Sequence, residues 1–236
     1  MRFNDFWKGH LLLFERPLAP DHGDVIGWRF LVAFTILAFL VIPAFQFAAS
    51  SSGLSGHEWS RLLLVVVFLA AFLLSMITYV RTDYSLIGLR RWSAWTGREK
   101  LYLIQTAPVI AVLFVILFQQ HFRQLIETYG VVNFIVFSAL TGLLWGATQE
   151  FIYRGLLQTE LVRRFGAIGG VVASNLIFTV GPLHFNYFHY GSDTPVQWIM
   201  LATIFGVGLL FGTIYQRSGN LWIPAIFHGL WPLNMV

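Results

Sequence analysis

Cysteine is absent from the 236 residues, which excludes disulfides, thiol catalysis and cysteine-ligated metal. Charge is scarce. Only 11% of residues are Asp, Glu, Lys or Arg, against roughly 25% in an ordinary globular domain. The chain has no His-Glu-x-x-His segment, so the zincin pattern is missing. It also has no internal repeat, which counts against an inverted-repeat transporter. No cleavable signal peptide is read, because Asp5, Glu15, Asp21 and Asp24 interrupt the N-terminus before the first long apolar run.

What the chain does have is hydrophobicity: 57% of its residues are apolar and the mean hydropathy is +0.69. Several runs reach the length of about 20 residues that crosses a hydrocarbon layer as a helix. The expected fold is therefore all-α, a polytopic transmembrane bundle of about seven to eight helices. Residues 1–27 mix Phe3, Phe6, Trp7 and Leu11 with Lys8, His10, Glu15 and Arg16, then meet Pro17 and Pro20. They read as an N-terminal interfacial helix too short to cross. Residues 28–236 form a single transmembrane domain, with spans at about 28–49, 62–80, 101–118, 131–157, 167–184 and 196–215, and a seventh from about 221. Segments 81–100, 119–130 and 185–195 read as loops, with Arg163 and Arg164 in another.

Basic residues orient this arrangement. With the N-terminus in the cytoplasm, the inner segments collect Arg2, Lys8, Arg16, Arg81, Arg90, Arg91, Arg98, Lys100, Arg163, Arg164 and Arg217, while outer loops hold only Arg61 and Arg123. The net charge of +4 is spread between apolar runs, so nucleic acid is not an expected partner. Membrane lipid is. The expected location is a bacterial or archaeal plasma membrane.

The chemistry-bearing stretch is Thr148-Gln149-Glu150-Phe151-Ile152-Tyr153-Arg154-Gly155, inside the fourth span. Ionisable groups at bilayer depth are functional candidates by default. Glu150 and Arg154 are four apart and share a helical face, so they can pair across one turn. Gln149 is turned about 100° away, which lets one of Gln149 and Glu150 brace while the other faces a cavity. His184 ends the fifth span, after Phe178 and a Gly181-Pro182 break. His228 lies in the seventh, with Asn234 six residues on. A carboxyl group with two imidazoles can activate water, stabilise an oxyanion or hold a metal.

In this order the motifs resemble the CAAX protease and bacteriocin-processing family, which includes the type II CAAX prenyl endopeptidases. Gln149-Glu150-x-x-x-Arg154 is similar to its Glu-Glu-x-x-x-Arg motif, Phe178 to His184 to its Phe-x-x-x-His motif, and His228 with Asn234 to its His-x-x-x-Asn motif. The likeness covers residues 140–236. It implies an intramembrane glutamic-type peptidase acting on a membrane-anchored or lipidated protein substrate. The residue matching the first glutamate would activate water with His184, His228 and Asn234 would stabilise the oxyanion, and Glu150 and Arg154 would brace the helix. The chain departs from the pattern at Gln149, because an amide is not a base. Three explanations stand: an inactivated form of a protein with glutamate here, chemistry by Glu150, or a non-catalytic relative. The second motif is two residues longer than the family's, and Pro232 occupies the expected asparagine position, so Asn234 can substitute only through a distorted helix end.

No cofactor is expected, although a divalent metal such as zinc on His184, His228 and Glu150 stays open without a spacing signature. His189, in an aromatic loop, is the alternative second-motif histidine. Gly53-Leu54-Ser55-Gly56 has a rhomboid-like Gly-x-Ser-Gly look but reads as a flexible turn. The rival from another class is a membrane scaffold or transporter in which Glu150 and Arg154 form a structural lock.

Overall fold

The computed structural model describes residues 87–137, 142–181, 184 and 195–230, with scattered helical positions between 32 and 79. The interfacial segment, most of the first and second spans, the Gly53-to-Gly56 turn, His189 and Asn234 lie outside the described residues. Every element among those described is helical, with no strand.

Helix α1 (Gly97–Leu117) begins where Thr96 and Glu99 form a capping box. The Thr96 hydroxyl accepts from the Glu99 amide, and the Glu99 carboxylate accepts from the Thr96 amide, satisfying two donors that a helix start leaves open. Just ahead of it, a 3-10 turn (Trp92–Ala94) sets Trp95 into the core with Phe211, Ile214, Ile223 and Phe227. The remainder of α1 agrees with the expected third span, and its large apolar side chains are mostly exposed. That is the arrangement for a helix whose solvent is lipid.

The expected loop at 119–130 is instead helix α2 (Gln119–Tyr129). Phe122, Leu125, Ile126 and Tyr129 recur at helical spacing and are half-buried, while Arg123, Gln124, Glu127 and Thr128 are exposed. The polar residues form one face of an amphipathic helix rather than a breaker. Gly130, at φ 75°, turns the chain into α3 (Val131–Phe137), and Phe122 meets Phe134 edge-on at 5.6 Å.

Helix α4 (Leu143–Glu150) runs directly into a π-helical segment (Phe151–Gln158) and then into α5 (Thr159–Val180). The expected loop holding Arg163 and Arg164 is therefore helical. Both side chains bind Glu160 within one turn, at 2.6 and 2.5 Å, so one carboxylate pairs with both guanidinium groups without leaving the helix. The reversal comes at Gly166, whose φ of 74° breaks α5 and suits glycine. Beyond it the chain folds back antiparallel. Gly170 lies on Val162, Ser174 bonds Gln158 and Phe178 lies on Arg154.

Helix α6 (Pro195–Ser218) outlasts the expected sixth span by about one turn and includes Arg217, which was expected in the turn. Helix α7 (Trp222–Gly229) then packs on α4. The connection is pinned by Gly88: its carbonyl accepts from the Leu221 amide at 3.0 Å. With φ at 78°, a Cβ there would sit 2.7 Å from the Gly219 carbonyl. Tyr215 donates to the Ile87 carbonyl and lies 3.0 Å from the Thr159 hydroxyl. Asn220 donates to Glu99 at 3.1 Å. The segment before α1, the start of α5 and the α6–α7 turn thus share one end of the bundle, the grouping that the basic residues call for.

Candidate active site

Two glycines, one at the N-cap of α4 and one within it, bring the site together. Gly142 and Gly146, one turn apart, both face Gly229 of α7; a Cβ on either would come within 2.5 Å of the Gly229 backbone. Small residues at this spacing let membrane helices approach until backbones touch. The approach carries His228 to Glu150, with Nδ1 2.8 Å from the carboxylate Oε1.

Glu150 is fully buried and holds a second partner, the Arg154 Nε, at 3.3 Å from Oε2. The pairing of Glu150 with Arg154 expected from the i,i+4 spacing is therefore present. Its link to His228, 78 residues away, was not expected. Arg154 is fastened three ways: to Glu150, through Nη2 to the Gly208 carbonyl at 3.0 Å, and with its guanidinium 4.3 Å from the centre of the Phe178 ring. A buried carboxylate and guanidinium would each be costly alone; paired and hydrogen-bonded, they are tolerable.

Phe178 is the hub of the cluster. Its ring meets Tyr153 at 5.0 Å, His184 at 4.8 Å and His228 at 6.0 Å, each nearly edge to face. The longer second motif is accommodated by the chain leaving the helix. Helix α5 ends at Val180, Gly181 is extended, and the His184 amide turns back to the Gly181 carbonyl at 3.0 Å. The His184 ring then places Nδ1 2.8 Å from the Phe178 carbonyl. His184 and His228 thus pack on the same phenylalanine, although one lies past the end of α5 and the other on α7.

Hydrogen bonding distinguishes the two imidazoles. A carbonyl only accepts, so His184 donates from Nδ1 and, when neutral, keeps Nε2 as an acceptor. His228 instead donates from Nδ1 to a side-chain acceptor, the Glu150 carboxylate. Gln149, the neighbour of Glu150 on α4, is 5% exposed, and its Oε1 has no hydrogen-bond partner among the described residues. No three His, Asp or Glu side chains among the described residues gather into a metal-holding group.

Sequence reading missed the polar ladder beneath this cluster. Gln158 donates to the Gly212 carbonyl at 2.8 Å, one turn beyond the Arg154 bond to Gly208, and accepts from Ser174. Asn175 donates to the Phe205 carbonyl at 2.9 Å. The π-helical segment leaves all eight of its residues buried between α5 and α6. A signal was available: Gly208 and Gly212 are spaced four apart on an apolar helix, the pattern that admits a neighbouring side chain to backbone carbonyls.

The comparisons with known proteins fall on this region. Residues 131–233 match the family described as Type II CAAX prenyl endopeptidase Rce1-like. The Bacillus subtilis (strain 168) protein YpbD, described as uncharacterized, is 29% identical over 86 residues, which are 36% of this chain and 36% of that protein. The match therefore spans about a third of that relative's length. No solved structure matches. Three helical runs among the described residues, Gly97–Ile116, Leu143–Val180 and Trp198–Ser218, are long and apolar enough to cross a membrane. The C-terminal part of the chain, less than half of its length, is thus similar to the Rce1-like type II CAAX prenyl endopeptidases, a family of membrane proteases.

Proposed function

We propose that this chain is built as an intramembrane endopeptidase for a membrane-anchored or lipidated protein, and that Gln149 holds it inactive. The observation that carries this reading is the contrast between neighbours on α4. Glu150 is held by a hydrogen bond to His228 and an ion pair with Arg154, whereas the buried Gln149 Oε1, which like Glu150 Oε2 has no hydrogen-bond partner among the described residues, has no ion pair to hold it. Glu150 acts as a brace. Position 149 is where a free carboxylate would do chemistry, and an amide there cannot take a proton from water.

With glutamate at 149, the steps follow from the roles of the two histidines. The carboxylate and the His184 Nε2 would take a proton from water as its oxygen attacks the scissile carbonyl. His228, oriented by Glu150, would assist in stabilising the developing oxyanion together with Asn234. Collapse of the intermediate breaks the C–N bond, and the proton held at position 149 passes to the leaving amine. No metal is needed in this scheme, and a metal-assisted variant would draw on the same side chains.

A second reading has its own support. Arg154 and Gln158 bind the Gly208 and Gly212 carbonyls, which is what a non-catalytic membrane scaffold or transporter would use to lock its helices. Cleavage assays separate the two. Gln149→Glu, reconstituted in liposomes, is expected to cleave a membrane-anchored substrate, assayed with farnesylated C-terminal peptides and by profiling new termini in host membranes. It should do so only with His228 intact. A folded Gln149→Glu protein that cleaves nothing in either assay leaves the scaffold standing.

A further inference from the structure

The segment leading into α1 separates its charges by sign. Glu99, the one acid between residues 91 and 100, is 1% exposed and turned inward to the Thr96 amide, Asn220 and Arg90. Arg91 and Arg98 are exposed, and Lys100 is half-exposed. The Lys100 ammonium lies 5.2 Å from the centre of the Trp92 ring. Trp92 is 53% exposed and stacks on Trp95, which is rooted in the core. A tryptophan with its body apolar and its edge polar belongs at the level of lipid headgroups, so this cationic collar sits at that level. Directly below it on α1, Leu101, Ile104 and Val112 are all exposed at helical spacing, a stripe suited to an acyl chain.

We propose that this collar is a seat for an anionic phospholipid. Lys100 and Arg98 pair with the phosphate, Arg91 adds to the field, and Trp92 packs against the glycerol backbone while the acyl chain follows the Leu101–Ile104–Val112 stripe. Charge complementarity carries the choice of ligand: with Glu99 buried, the exposed charges among the described residues of this segment are basic, and each basic residue near a membrane surface favours anionic lipid. The proposal is independent of whether the site at position 149 is catalytic.

The test is native mass spectrometry of the full chain released from nanodiscs of equal phosphatidylglycerol and phosphatidylcholine. The expected result is preferential retention of phosphatidylglycerol, falling on the order of tenfold or more in the triple variant Arg91→Gln, Arg98→Gln, Lys100→Gln. Arg123→Gln, an exposed arginine on α2, should leave the preference unchanged. Should the triple variant fail to fold, Lys100→Gln alone carries the test, with a loss of roughly fivefold expected. Equal retention of the two lipids by the unaltered protein, an unchanged preference in the folded variants, or an equal loss with Arg123→Gln would overturn the proposal.

Discussion

Helix α1 and the α4-to-α5 hairpin are both apolar enough to cross a membrane, yet they are built inside out with respect to one another. In the best crossing window of α1, 6% of residues are buried, against 33% in the Leu143–Val180 run. The first turns Leu, Ile and Val outward and draws stability from its own hydrogen bonds and cap. The second turns Gln149, Glu150, Arg154 and Gln158 inward, among glycines, and draws stability from interhelical polar contacts. In lipid, apolar burial gives little drive for helix association, so packing and polar contacts specify which helices meet. The difference explains why the functional side chains sit on α4, α5 and α7 and not on the equally hydrophobic α1.

The comparison breaks most severely at Arg154. Arg154→Met removes the partner of a buried carboxylate and the donor to Gly208, and should cost about 3–5 kcal/mol, seen as loss of the folded species in a detergent melting curve. Val112→Asp tests the opposite region, where an acid facing lipid should cost about 2.5–3.5 kcal/mol, read by reduced insertion in a membrane-integration assay. Gly146→Val pushes α4 from α7 and should cost roughly 1–3 kcal/mol; the distance between spin labels on the two helices should increase. Gln158→Leu, which leaves the Gly212 carbonyl unpaired, should cost only about 1 kcal/mol by the same melting measurement. Ile104→Leu, apolar for apolar on the lipid face of α1, should stay within about 0.5 kcal/mol. A reversal of this order, with Ile104→Leu worse than Gln158→Leu, would remove the distinction.

Local pattern made part of this arrangement readable. The Glu150–Arg154 pair followed from helical spacing, the third and sixth spans from hydropathy, and the family likeness from the order of the motifs. Helix α2 was readable in principle from Phe122, Leu125, Ile126 and Tyr129, but its polar residues resembled a loop because an amphipathic surface helix has low mean hydropathy. The bond between Glu150 and His228 was not readable, since it depends on how closely α4 and α7 pack. Nor was the π-helical segment, which no residue type announces. Arg163 and Arg164 looked like loop residues because their pairing with Glu160 is visible only once the helix is known to continue to Gly166.

The division of labour between Gln149 and Glu150 is the central claim, and hydrolysis in oxygen-18 water tests it most directly. The Gln149→Glu protein, given a membrane-anchored peptide, should release a product carrying one oxygen-18 in its new carboxylate, while the chain with Gln149 and the double variant Gln149→Glu, His228→Ala should release none. Equal labelled product from the Gln149 chain would contradict the account, because Glu150, already bound to Arg154 and His228, would then be the group that activates water.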